Sequence, residues 1–113
     1  MHELALAQGI VDIVLAQARA QRFAKVKTIR LSIGGLAQVE PDALTFGFDS
    51  VSRGTVAEGA VLDIQRPPGE GYCLSCDGKV SLARRGEACP TCGGFQVMVT
   101  GGEELRVVEL EVD

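Results

Sequence analysis

Two Cys-x-x-Cys pairs, Cys73-Leu74-Ser75-Cys76 and Cys89-Pro90-Thr91-Cys92, contain all four cysteines of the chain. Each pair sets two thiolates on one tight turn, and the 12 residues between them, 77–88, suffice for a short hairpin that brings the second turn opposite the first. The spacing therefore predicts one tetrahedral metal held by Cys73, Cys76, Cys89 and Cys92. Gly78, Pro90, Gly93 and Gly94 stand at or beside the turns, where a preset φ or unusual backbone freedom is needed. Two disulfides, a dithiol redox centre and a one-iron site compete with zinc for the same residues. Disulfides need an oxidising compartment, yet the N-terminus offers no basic region or cleavage signal, and Glu3 and Asp12 interrupt its apolar stretch. Redox work needs only one pair. A tetrahedral sulfur site admits zinc first and iron second. With four protein ligands no coordination position is left for a substrate, so the site reads as structural and not catalytic.

At 113 residues, with 46% apolar and 23% charged residues, the chain suits one ordinary domain with a small satellite. The cysteine segment, from Tyr72 to about Thr100, falls below the roughly 40 residues that usually fold alone, so bound metal must hold it together. The net charge of −4 argues against a phosphate backbone as partner. Arg84-Arg85 is the only basic pair and reads as a solvated hairpin tip. No apolar run approaches the ~20 residues that span a bilayer. A soluble, cytoplasmic protein is expected.

Residues 3 to about 23 carry Leu4, Leu6, Ile10, Val11, Ile13, Val14, Leu15 and Ala18 at helical spacing, with Gln8, Asp12 and Arg19 opposite. Thr28-Ile29-Arg30-Leu31-Ser32-Ile33 alternates as a strand with one buried face, and Gly34-Gly35 ends it. A second helix starts near Pro41, aligns Leu44, Phe48 and Val51, and stops at Gly54; Phe46 lies off that stripe and is expected to make a second packing contact. Strands follow at Val61–Gln65, cut off by Pro67-Pro68, and at Leu105–Val112, where the parity of Leu105 and Val107 predicts a bulge or burial on both faces. The expected fold is α+β: two helices on a three-stranded mixed sheet, with the four-cysteine, zinc-ribbon-like lobe inserted between two of its strands. Residues 1–70 plus 101–113 would form one domain and 71–100 the other. The runs Pro67-Pro68-Gly69-Glu70-Gly71 and Gly101-Gly102 that bound the lobe read as hinges.

The one histidine is His2. A bulky second residue normally protects the initiator methionine from removal, so the mature chain should begin with the free amine of Met1. That amine, the His2 backbone nitrogen and the imidazole can close adjoining chelate rings around Ni(II) or Cu(II), since an all-nitrogen planar set suits these ions and not zinc or magnesium. A metal there displaces amide protons that have no intrahelical acceptor. Glu3 has two readings. Its carboxylate either supports the metal against the positive end of the helix dipole or is an ordinary first-turn acid worth roughly 0.3–1 kcal/mol.

The opening Met1-His2-Glu3-Leu4, the stretch Val39-Glu40-Pro41-Asp42-Ala43-Leu44 with Phe46 and Phe48, the segment Gly54–Ala60, the two cysteine knuckles and the ending Glu104–Glu111 together resemble the HypA/HybF family of hydrogenase nickel-insertion proteins. The resemblance runs over nearly the whole chain. It implies a cytoplasmic metallochaperone, not an enzyme, with nickel ligands falling on Met1, His2 and Glu3 and zinc ligands on Cys73, Cys76, Cys89 and Cys92. It also implies a partner GTPase and a hydrogenase large-subunit precursor that receives Ni(II), with Zn(II) structural; a homodimer is compatible with it. Asp77 intervenes before Gly78 where relatives often place glycine directly after the cysteine, and Ala5 stands where many have serine. A zinc-ribbon module for protein interaction or nucleic-acid binding is the alternative, a rubredoxin-like electron carrier another. No nucleophile with a base, paired acids or phosphate-cradling glycine motif suggests catalysis.

Overall fold

The computed structural model describes residues 2–113. In order, the elements are α1 (His2–Gln21), β1 (Val26–Ile33), α2 (Pro41–Val51), β2 (Val61–Gln65), β3 (Gly69–Cys73), β4 (Gly78–Leu82), β5 (Val97–Gly101) and β6 (Leu105–Val112). They form two sheets, ordered β2-β1-β6 and β4-β3-β5. Two compact units result: one takes in the chain up to Leu31, Val39–Ile64 and Val107–Asp113, the other Ser32–Gln38 and Gln65–Arg106.

In the first unit, α1 buries Ala7, Ile10, Val11, Val14 and Ala18, the narrow central part of the apolar stripe. Leu4 and Ile13 remain 42% and 46% exposed. The helix ends with Arg22 in the left-handed region (φ 57°), its N–H bonded to the Ala18 carbonyl. From Thr28 on, β1 alternates as expected, with Ile29, Leu31 and Ile33 fully buried, while Val26 is buried on the other parity. Its other face carries Arg30, whose guanidinium meets Asp63 of β2 at 3.3 Å and Glu109 and Glu111 of β6. The Asp113 N–H bonds to the Lys25 carbonyl and the Gly34 N–H to that of Glu104, so β6 runs against β1. β2 reaches β1 by the crossover through α2, the connection a parallel neighbour needs, and the sheet is mixed.

Helix α2 starts at the expected proline. Glu40 is its N-cap, and the Glu40 carboxylate accepts the Asp42 N–H at 3.4 Å. Leu44, Gly47 and Phe48 face inward. Phe46 does not pack: two residues from both Leu44 and Phe48, it sits some 200° around the helix from each and is 75% exposed. Phe48→Ala should destabilise the protein by about 3–5 kcal/mol, because its fully buried ring leaves a cavity, and a denaturant titration reads this directly.

The second unit departs from expectation. No hairpin lies between the cysteine pairs; β3 and β4 form a hairpin around the first pair, from Gly69 opposite Leu82 to Cys73 opposite Gly78, and β5 adds to the other edge of β3. The supposed hinge Gly69-Glu70-Gly71 is the first half of β3. Glycine is required there for closeness and not for freedom, as a Cβ on Gly71 would meet Leu82 Cδ1 at 2.8 Å and Val97 Cγ1 at 2.9 Å. Gly101 ends β5 opposite Glu70. Gly34-Gly35, expected to end β1, do so in a turn that is also bonded into this unit. The Gly35 N–H donates to the Pro67 carbonyl at 2.7 Å and the Leu36 N–H to that of Gly102 at 2.9 Å. Arg66 adds bonds to the carbonyls of Ile33, Gly34 and Ala37.

Along β6 the phase of burial slips between Val107 and Leu110, in keeping with the mixed parity of its residues. Among the described residues no helix is long and apolar enough to cross a membrane.

Candidate metal centre

His2 opens α1 with its side chain 59% exposed, and its Nδ1 lies 3.8 Å from Glu3 Oε2. The same Glu3 oxygen accepts the Glu40 backbone N–H at 3.2 Å. This bond, with the N–H of Glu3 itself and then His2 adding to it, holds the Glu3 carboxyl below its usual range. Met1, the remaining candidate ligand, lies outside the described residues. Sequence reasoning misses Glu40 as part of the site. Its position just before Pro41 is the available signal, because an N-cap residue has a backbone N–H outside the helical ladder and can serve a neighbouring carboxylate.

The four cysteines come together. Their sulfurs all lie within 4.8 Å of one another, with Cys73 and Cys89 buried and Cys76 and Cys92 exposed. β3 delivers Cys73 at its end, the tight turn carries Cys76, and the second pair occupies the loop before β5. Each turn is closed by its own backbone: the Cys76 N–H points to Cys73 Sγ and the Thr91 N–H to Cys89 Sγ, both at 3.4 Å. The Cys89 N–H bonds to the Gly94 carbonyl at 2.7 Å, and the Gly93 N–H returns to the Cys89 carbonyl with Gly93 at φ 74°. Asp77, where relatives were expected to carry glycine, adopts the left-handed conformation (φ 54°) that aspartate tolerates, and its carboxylate accepts the Tyr72 hydroxyl.

The donor set fits one tetrahedral ion. Cys73 Sγ is 3.7 Å from Cys92 Sγ and Cys76 Sγ is 3.9 Å from Cys89 Sγ. Four sulfurs at about 2.3 Å from a shared zinc are separated by about 3.8 Å, whereas a disulfide needs about 2.05 Å. All four cysteines are free in this structure. The thiols differ among themselves: the Cys92 backbone N–H, assisted by that of Thr91, draws Cys89 down to about 6, while hydrogen bonding with the Cys92 and Cys73 sulfurs pushes Cys76 up to about 12. A divalent cation amid them favours thiolate throughout.

The sequence profile described as "Hydrogenase/urease nickel incorporation, metallochaperone, hypA" matches residues 1–112. The chain belongs to the HypA family. Hydrogenase maturation factor HypA of Alkalilimnicola ehrlichii is 51% identical over 113 residues, covering all of both chains. Hydrogenase maturation factor HypA 2 of Bradyrhizobium diazoefficiens is also 51% identical over the full length of both. The fold resembles the solution structure of the nickel metallochaperone HypA from Helicobacter pylori, with a TM-score of 0.68 at 20% identity over 97% of this chain and 96% of that one. This HypA-family chain is thus a metallochaperone of hydrogenase/urease nickel incorporation with a four-cysteine metal site.

Proposed function

We propose that this chain binds Ni(II) through the Met1 amine, the His2 backbone nitrogen and imidazole, and the Glu3 backbone nitrogen, and surrenders it during maturation of nickel–iron hydrogenase. The observation that carries the reading is the anchoring of Glu3: the Glu40 N–H holds its carboxylate beside an exposed His2, at a first helical turn whose N–H groups have no intrahelical acceptor. The Glu3 carboxylate then supplies negative charge at the positive end of the α1 dipole and supports the site without being spent as a ligand.

Release follows from exposure. A site on a solvated chain end is open to a competing ligand set, so nickel leaves by ligand exchange. Protons compete for the amine and imidazole, and affinity falls on acidification. Cys73, Cys76, Cys89 and Cys92 hold a structural Zn(II). On this reading residues 1–70 with 101–113 carry nickel, while 71–100 are the zinc-bearing part and present the surface for a cytoplasmic GTPase or hydrogenase precursor.

Nickel titration tests the reading in three forms: the native N-terminus, His2→Ala and an N-terminally extended chain. One equivalent should bind to the first and at least tenfold more weakly to the others. Equal stoichiometry and affinity in all three refutes an N-terminal site. Metal analysis showing iron, or no metal, refutes the zinc assignment.

A further inference from the structure

β6 is an outer strand of its sheet, and beyond it no described strand pairs. Between it and α1 runs a groove of about 290 Å³, walled by Ile13, Gln17 and Gln21 on the helix, Phe23 after it, and residues 107–110 and Val112 on the strand. Val108, Leu110 and Val112 contribute apolar side chains of the strand to this wall, while the Glu109 and Glu111 carboxylates pair with Arg30 of β1. Ile13, Val108 and Val112 are 46%, 57% and 38% exposed, so the groove leaves apolar side chains in water, among Gln17, Gln21 and Glu109, beside an open strand edge. Edges of this kind are where an extended segment adds, with main-chain bonds supplying affinity and alternate side chains specificity.

Charge selects the occupant. The charges on β6 and the residue after it are Glu109, Glu111 and Asp113 against one cation, Arg106, and across the sheet the three carboxylates meet Arg30 and Lys27 of β1. An added strand places one face over the groove and the other beside these carboxylates. A second copy of β6 would bring further acids against them, and like charges across a strand pair are destabilising. We infer that β6 accepts, as a fourth strand, an extended segment of a partner protein in which apolar residues alternate with lysine or arginine.

The test uses a synthetic heptapeptide alternating lysine and valine, titrated by calorimetry into the full chain with amide exchange recorded alongside. The peptide should bind and protect amides within 107–112. Ile13→Asp and Val108→Asp should each weaken binding at least tenfold, and circular dichroism should show both variants folded, since both side chains are solvent-exposed. A peptide alternating glutamate and valine should bind at least tenfold more weakly, as should a lysine–valine peptide N-methylated on alternate residues. Absence of binding, equal binding of the glutamate peptide, indifference to the two substitutions, or protection outside β6 overturns the inference. So does self-association of the chain that Val108→Asp abolishes.

Discussion

Serine at Cys89 is expected to release one equivalent of metal and unfold the second unit. That unit has little else to hold it, because its buried apolar side chains among the described residues are Ile33, Leu36, Leu82 and the cysteines Cys73 and Cys89 themselves. Structural zinc contributes about 10–16 kcal/mol in small cysteine-rich peptides, comparable with the whole stability of an ordinary domain at about 5–15 kcal/mol. Loss of one ligand leaves three thiols that no longer close a tetrahedron. Amide exchange should therefore rise across β3, β4 and β5 while the amides of α1 and β1 stay protected, and a chelator acting on the unaltered chain should reproduce the pattern. Persistent protection of β3 in metal-free Cys89→Ser would show that packing alone sustains the unit.

Gly34→Ala should be the most damaging single methyl in the chain. A Cβ there would lie 2.0 Å from the Gly102 carbonyl oxygen and 2.6 Å from the Glu103 nitrogen, and both are backbone atoms in a bonded crossing that cannot swing aside. We expect a loss of about 3 kcal/mol, the upper end for overpacking, and a fall in Tm of roughly 10 °C. Gly9→Ala is the internal control. It lies exposed within α1 with nothing within 4 Å of the new methyl, and there alanine should stabilise by roughly 0.5–1 kcal/mol. Equal melting of the two variants would mean that the crossing yields easily.

What can be read from the chain depends on whether its signal is local. The cysteine turns are set by spacing within four residues, and the burial of α1 and β1 by their periods, so the residue order alone makes those features legible. β3 carries no comparable signal: Gly69-Glu70-Gly71-Tyr72 shows no apolar alternation, because its partners come so close that glycine must replace the side chains that would reveal a strand. The same glycines suggest hinges for that reason. Phe46 misleads differently, since its hydrophobicity suggests burial although the helical period points the ring outward. Glu40 escapes notice because its contribution to the Glu3 carboxylate is a backbone N–H, which no residue type announces.

Tyr72 is the only tyrosine and the chain has no tryptophan. It sits in β3 next to Cys73, with its hydroxyl tied to Asp77. Tyrosine fluorescence therefore originates in one half alone, and the native chain carries an optical gauge of the cysteine-bearing half that needs no dye.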